Sequence, residues 1–181
     1  MTTIAKLYEM QKALDANIIE KKGLEGKDLL PNTILALQVE LGECANEWRG
    51  FKHWSNDQEP RTKKTRQGKT ATGQPARHFD EYNPLLEEYV DCLHFFLSIA
   101  RQLELPPEHL DTPAYAEGFT TKVFTEVITT VGLIDVDPAA FFDAWDAFRH
   151  LGKMLGFPWE DIAAAYVSKN EVNHQRQATG Y

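Results

Sequence analysis

The sequence predicts an all-α fold, a helical bundle of five or six helices in a single domain over residues 1–181. Three observations lead there. Apolar residues recur at three- and four-residue spacing along most of the chain. A capping residue is followed by proline at Asn83-Pro84 and again at Asp137-Pro138, which is the chemistry of a helix start. No stretch alternates with period two for long enough to read as a strand.

Each element follows in order. Residues 4–21 form the first helix, with Ile4, Leu7, Leu14 and Ile18 on one stripe, and GLEGKD at 23–28 breaks it. The second starts at about Pro31 and runs to Trp48 or Arg49, with Ile34, Leu37, Leu41 and Cys44 inward. Residues 56–82 are rich in Thr, Gly, Lys and Arg, with Pro60 and Pro75, and read as a mobile basic insertion. The third helix runs from Pro84 to about Glu104, where Pro106-Pro107 ends it. A fourth spans about 119–132. A fifth runs from Asp137-Pro138 to near Gly156, and the last from Pro158 to about Gln177.

Composition narrows the function. Apolar residues are 43% and charged residues 25% of 181, so the chain buries a core without staples. Two cysteines, Cys44 and Cys92, with no Cys-x-x-Cys exclude a disulfide framework and a thiolate zinc site. The opening MTTIAKLYEM has no signal-peptide pattern, and no run of about 18 apolar residues occurs. The expectation is a cytoplasmic protein that does not enter membranes. The net charge of −8 hides a split: residues 61–78 hold six Lys/Arg and no acid, and the remainder balances to −14. Such a body repels polyphosphate and nucleic acid unless a cation stands between, so no specific nucleic acid is expected as partner.

Clustered carboxylates are the first candidate site. Glu40, Glu43 and Glu47 stand at i, i+3 and i+7 of the second helix. They fan across about 60° of its surface. The third helix offers Glu88 and Asp91 at i and i+3, with Glu87 alongside. Carboxylates so crowded repel one another, and a hard divalent cation relieves the repulsion. The last helix carries the complement. Tyr166, Lys169, Asn170 and Asn173 share one arc with Gln177, and Arg176 sits beside it. Donors with two cations suit phosphate oxygens. Gln11 falls within the apolar stripe of the first helix, with Asp15 one turn on. Its amide suits either a base edge or a helix interface. Trp54, beyond the second helix in EWRGFKHWS, is the better candidate for stacking a base, while Trp48 is in phase with the core.

The runs LLPNTILALQVELGECANEWRGFKHWS, LLEEYVDCLHFFLS and YVSKNEVNHQRQATGY resemble the dimeric all-α dUTPases of phages and bacteria, within the all-α nucleoside triphosphate pyrophosphatase superfamily. The resemblance implies hydrolysis of dUTP to dUMP and pyrophosphate by a metal-activated water, without a covalent enzyme intermediate. It implies a four-helix metal-binding core, with Mg²⁺ (Mn²⁺ as a substitute) on Glu40, Glu43, Glu88 and Asp91. Glu43 is cast as the carboxylate that doubles as general base, beside Glu40. Gln11, Asp15 and Trp54 would hold the base, and Tyr166, Lys169, Asn170, Asn173 and Arg176 the phosphates. A homodimer is implied by the same resemblance.

Three rivals stand beside it. Another pyrimidine or damaged nucleotide shares the metal chemistry and changes only the base pocket. A di-iron carboxylate bundle wants Glu-x-x-His on two helices, whereas this chain has Asp91-x-x-His94 once. A non-catalytic binding protein has no need of intact carboxylates.

Overall fold

The computed structural model describes residues 2–69 and 74–179. Residues 70–73 of the predicted insertion lie outside them. Among the described residues six α-helices form: α1 (Ile4–Lys22), α2 (Leu30–Trp48), α3 (Pro84–Gln102), α4 (Thr120–Val131), α5 (Ala140–Met154) and α6 (Trp159–Ala178). A 3₁₀ turn at Pro107–Leu110 follows α3. The all-α expectation holds, and the helix ends fall within a few residues of where the sequence puts them.

Local chemistry explains those ends. Thr3 caps α1 by accepting from the Lys6 amide, and Gly23 closes it in the left-handed region at φ 61°. Asn83 caps α3, its side chain accepting from the Leu86 amide at 3.1 Å. At α5 the cap-and-proline pair begins one turn early. Asp137 and Pro138 make a turn, with Asp137 Oδ1 accepting from the Ala139 amide, and the helix proper starts at Ala140.

The expectation that no strand forms is corrected. Lys64–Lys69 (β1) and Pro75–Tyr82 (β2) pair antiparallel inside the segment read as a loop. Lys64 lies opposite Tyr82 and Arg66 opposite Asp80.

Helix α3 is the hub. Twelve of its nineteen residues are buried, so its sides are covered by neighbours all round. It packs on α1, α2, α5 and α6, while α4 pairs with α5 and rests on α2. The interior is filled by Leu37, Leu41, Cys44, Leu93, Phe96 and Phe148. Tyr89 stacks on Phe148 with ring centroids 4.3 Å apart and donates to the Phe148 carbonyl. Gly152 permits this approach, since a Cβ there would strike the Tyr89 hydroxyl. Tyr89 therefore fixes the roll of α3, and with it the direction of the neighbouring Glu88 and Asp91. No helix among the described residues is long and apolar enough to cross a membrane.

Candidate active site

The pairing of α2 with α3 brings the two acidic stripes together. The contact is apolar, with Leu37, Leu41 and Cys44 of α2 and Val90, Cys92 and Leu93 of α3 all in the core. Helical spacing then sets the acids on the rim of that contact. Glu40, Glu43 and Glu88 each offer a carboxylate oxygen, and these lie within 4.8 Å of one another.

The six acids sort into two classes. The outer ones are compensated. Glu47 receives Arg61 at 3.5 Å and Lys64 at 3.1 Å. Glu87 receives Arg66 at 3.0 Å and Lys169 at 3.3 Å. Burial pushes the Glu87 carboxyl up, but Lys169 and Arg66 outweigh it and hold it below its usual range. Asp91 is gripped by Lys169 Nζ at 2.6 Å and sits at the edge of the trio. The inner three, Glu40, Glu43 and Glu88, make no ion pair among the described residues. Partial burial, with Asp91 and Glu43 nearby, lifts Glu40 to about 7. Glu88 rises to about 7 by burial and by the charges of Asp91, Glu43 and Glu40. Three carboxylates gathered this closely, with no basic side chain paired directly to them among the described residues, suit a hard divalent ion.

A second polar cluster lies inside the bundle. Gln11, 4% exposed, uses its whole amide. Nε2 donates to Asp15 at 2.7 Å and to Ser98 at 2.9 Å. Oε1 accepts from the Tyr166 hydroxyl at 2.6 Å and from His94 Nδ1 at 2.7 Å. Asp15 also takes Ser98 and Arg101. Burial raises the Asp15 carboxyl against the pull of Arg101, Ser98 and Gln11. Because Gln11 Oε1 carries no proton, Nδ1 of His94 must be the protonated nitrogen. Burial drives the His94 pKa down to about 3, so the ring is neutral and Nε2 is a bare acceptor. Among the described residues that Nε2 has no partner, and neither has the donor Nδ2 of buried Asn170. The His94 ring stacks on Tyr166 at 3.9 Å, and Asn170 lies one turn beyond Tyr166 on α6. His94 thus turns to Gln11 and not to the carboxylates, which leaves the di-iron pattern without its histidine.

The polar stripe of α6 is therefore divided. Tyr166, grouped in the sequence with the phosphate donors, belongs to the Gln11 network, and Asn170 is buried beside it. Lys169 and Arg176 line a cavity of about 600 Å³ between α3, α6 and the hairpin. Asn173 Oδ1 accepts from Arg176 at 3.4 Å. Trp54 is 67% exposed, edge-on to Phe51 and His53. No hydrogen bond or ring contact joins it to Gln11 or Asp15 among the described residues. Trp48 packs on Phe124, as its phase predicts.

A family model described as dUTPase matches residues 3–68 and 77–181. The chain belongs to the dUTPase family. The match covers all six helices and, internally, omits only residues 69–76 around the end of the hairpin. No curated protein matches the chain. Both acidic stripes and the α6 stripe lie within the dUTPase match. So do residues that the sequence reading passed over. Arg49, in the left-handed region at φ 66°, is one. Its buried guanidinium holds the Asp57 carbonyl at 2.7 Å and carboxylate at 3.1 Å, which fixes the loop bearing Trp54. Ser98 and Arg101 are others, and their only signal is polarity on the inward face of a hub helix. Arg66 could be found only as one of six cations in a segment without acids.

Proposed function

We propose that the protein hydrolyses dUTP to dUMP and pyrophosphate with a divalent metal, Mg²⁺ by preference and Mn²⁺ as a substitute. One observation carries this reading: three carboxylates without an ion pair among the described residues gather between α2 and α3, and Lys169, which holds the neighbouring Asp91, lines a cavity with Arg176. Membership of the dUTPase family supports dUTP as the substrate.

Glu40, Glu43 and Glu88 are the residues that would hold the metal, with Asp91 joining them when Lys169 releases it. When bound, the metal lowers the pKa of a water and offsets charge on the leaving pyrophosphate. The chain's own groups do the rest. Glu43, the most exposed of the trio, takes a proton from the attacking water. Lys169, already held between Glu87 and Asp91, turns its ammonium to phosphate oxygens, and Arg176 supplies a planar fork for the same tail. Asn173 orients Arg176. The base goes toward the Gln11 network, where His94 Nε2 and Asn170 Nδ2 offer an unused acceptor and an unused donor. Uracil carries a donor N3–H flanked by carbonyl acceptors, so it answers both. Cytosine has a bare N3 and meets His94 lone pair to lone pair. Asp15 holds Gln11 in place, and Trp54 is the aromatic that would stack on the base.

The resemblance also supports a homodimer in the cytoplasm. The exposed Leu35 and Val39 on α2 give it an apolar face to use. The test is release of pyrophosphate from dUTP, dCTP and dTTP, each with Mg²⁺, with Mn²⁺ and with EDTA. The expected result is turnover of dUTP alone, and only with metal. Turnover in EDTA, or equal rates on all three nucleotides, would sink the assignment.

A further inference from the structure

The hairpin bridges both acidic helices through one face. Lys64 and Arg66 lie two residues apart on β1, so their side chains point the same way. That face meets the bundle. Lys64 reaches Glu47 of α2, and Arg66 Nη1 reaches both oxygens of Glu87 on α3 at 3.0 and 3.1 Å. Glu47 is one turn from Glu43, and Glu87 adjoins Glu88. The Arg66 guanidinium also lies over the Tyr82 ring, 4.5 Å from its centre, which holds its plane in a fixed attitude. Arg66 and Tyr82 form one wall of the 600 Å³ cavity, whose other side carries Glu87, Lys169 and Arg176. Three cations, one from the hairpin and two from α6, thus converge on one cavity, whose lining residue Glu87 adjoins Glu88 in the chain.

A surface ion pair is worth about 0–1 kcal/mol, so Arg66 is not locked to Glu87. The Arg66 side chain is 56% exposed, and Glu87 keeps Lys169 as a second partner. A terminal phosphate offers Arg66 more charge and the same two-pronged geometry.

Resting on the function proposed above, we infer that Arg66 is a substrate-binding residue: it exchanges Glu87 for the terminal phosphate of a nucleoside triphosphate, so that the hairpin closes on the tail and discriminates triphosphate from monophosphate. The hairpin then acts as a sensor of tail length, independent of the base.

Calorimetric titration of the full chain in Mg²⁺ tests this with three probes: inorganic tripolyphosphate, α,β-imido-dUTP and dUMP. Arg66→Ala should weaken the first two by roughly 10- to 150-fold, the range for a hydrogen bond to a charged group. It should change dUMP by less than about 2-fold, since dUMP lacks the terminal phosphate. Arg66→Lys should fall between, having charge but no fork. In the wild type, amide exchange over 64–69 and 76–82 should slow with tripolyphosphate and not with dUMP. If Arg66 only anchors the hairpin, Arg66→Ala shifts all three probes alike or none, and the inference fails. It fails too if the wild type does not bind tripolyphosphate. A wild type inert toward dUTP whose tripolyphosphate binding still depends on Arg66 would sink the dUTPase reading and leave this one standing.

Discussion

Gln11 is a buried side chain whose whole amide is engaged in packing. Three of its four hydrogen bonds tie α1 to α3 and α6 and the fourth stays within α1, so a base that used this amide would have to break one of them. Truncation therefore has two costs. Gln11→Ala leaves His94, Tyr166 and Ser98 short of a partner, each worth about 1–3 kcal/mol when buried. We expect the melting temperature to fall, and the Michaelis constant for dUTP to rise by roughly 5- to 150-fold if one of those bonds serves the base. Discrimination against dCTP and dTTP should erode with it. Arg176→Ala should instead weaken all three triphosphates alike, because phosphates carry no base identity. Equal losses across the bases for Gln11→Ala would show that the amide serves packing only. Gln11 was visible in the sequence because it interrupts an apolar stripe. Its partners were not. Ser98, His94 and Arg101 each look ordinary on a helix, and only the packing of α1 against α3 gathers them round one amide.

The helices were legible because each buries one face, and burial writes a 3.6-residue period into the chain. The hairpin leaves no such record. A period-two pattern arises when one face of a strand is covered by apolar core, whereas the covered face of β1 presents Lys64 and Arg66 to Glu47 and Glu87. Its attachment is ionic, and charge pairing across a fold has no sequence period. For the same reason neither α2 nor α3 carries a lysine of its own, since the cations of the acidic stripes arrive from Arg61, the hairpin and α6. Excision follows from this anatomy. Arg61 must stay, because its amide donates to the Glu47 carbonyl and its carbonyl accepts from the Leu85 amide. Lys64 and Tyr82 are opposite partners, so a linker of about four residues can replace 65–81. The variant loses the Arg66–Glu87 pair and little apolar area. Its melting temperature should drop by only about 1–4 °C with a single cooperative transition. A broad or multistep melt would mean that the hairpin is integral to the bundle.

At the scale of the whole molecule, an acidic chain with a pI near 5.2 concentrates its electrostatic cost in one place. Glu40 and Glu88 rise from 4.5 to about 7 on folding, so between those values the folded chain binds more protons than the unfolded one. Their contribution to stability therefore falls as pH rises through that window. His94 acts in the opposite sense. Its pKa drops from 6.5 to about 3, so it costs stability as pH falls below 6.5. The two effects overlap in a simple melt, and a metal comparison separates them, because His94 is not a ligand and cancels between the two arms. The rise in melting temperature on replacing EDTA with Mg²⁺ should be larger at pH 8 than at pH 5, where protons already occupy Glu40 and Glu88 and must be displaced. Glu40→Gln tests the cause. It removes one of the mutually repelling charges, so in EDTA at pH 8 the variant should melt at or above the wild type. It should also lose the Mg²⁺-dependent gain and turnover together. A Glu40→Gln protein that melts lower in EDTA, or that keeps the full Mg²⁺ gain, would show that Glu40 is a structural acid and that the metal, if any, sits elsewhere.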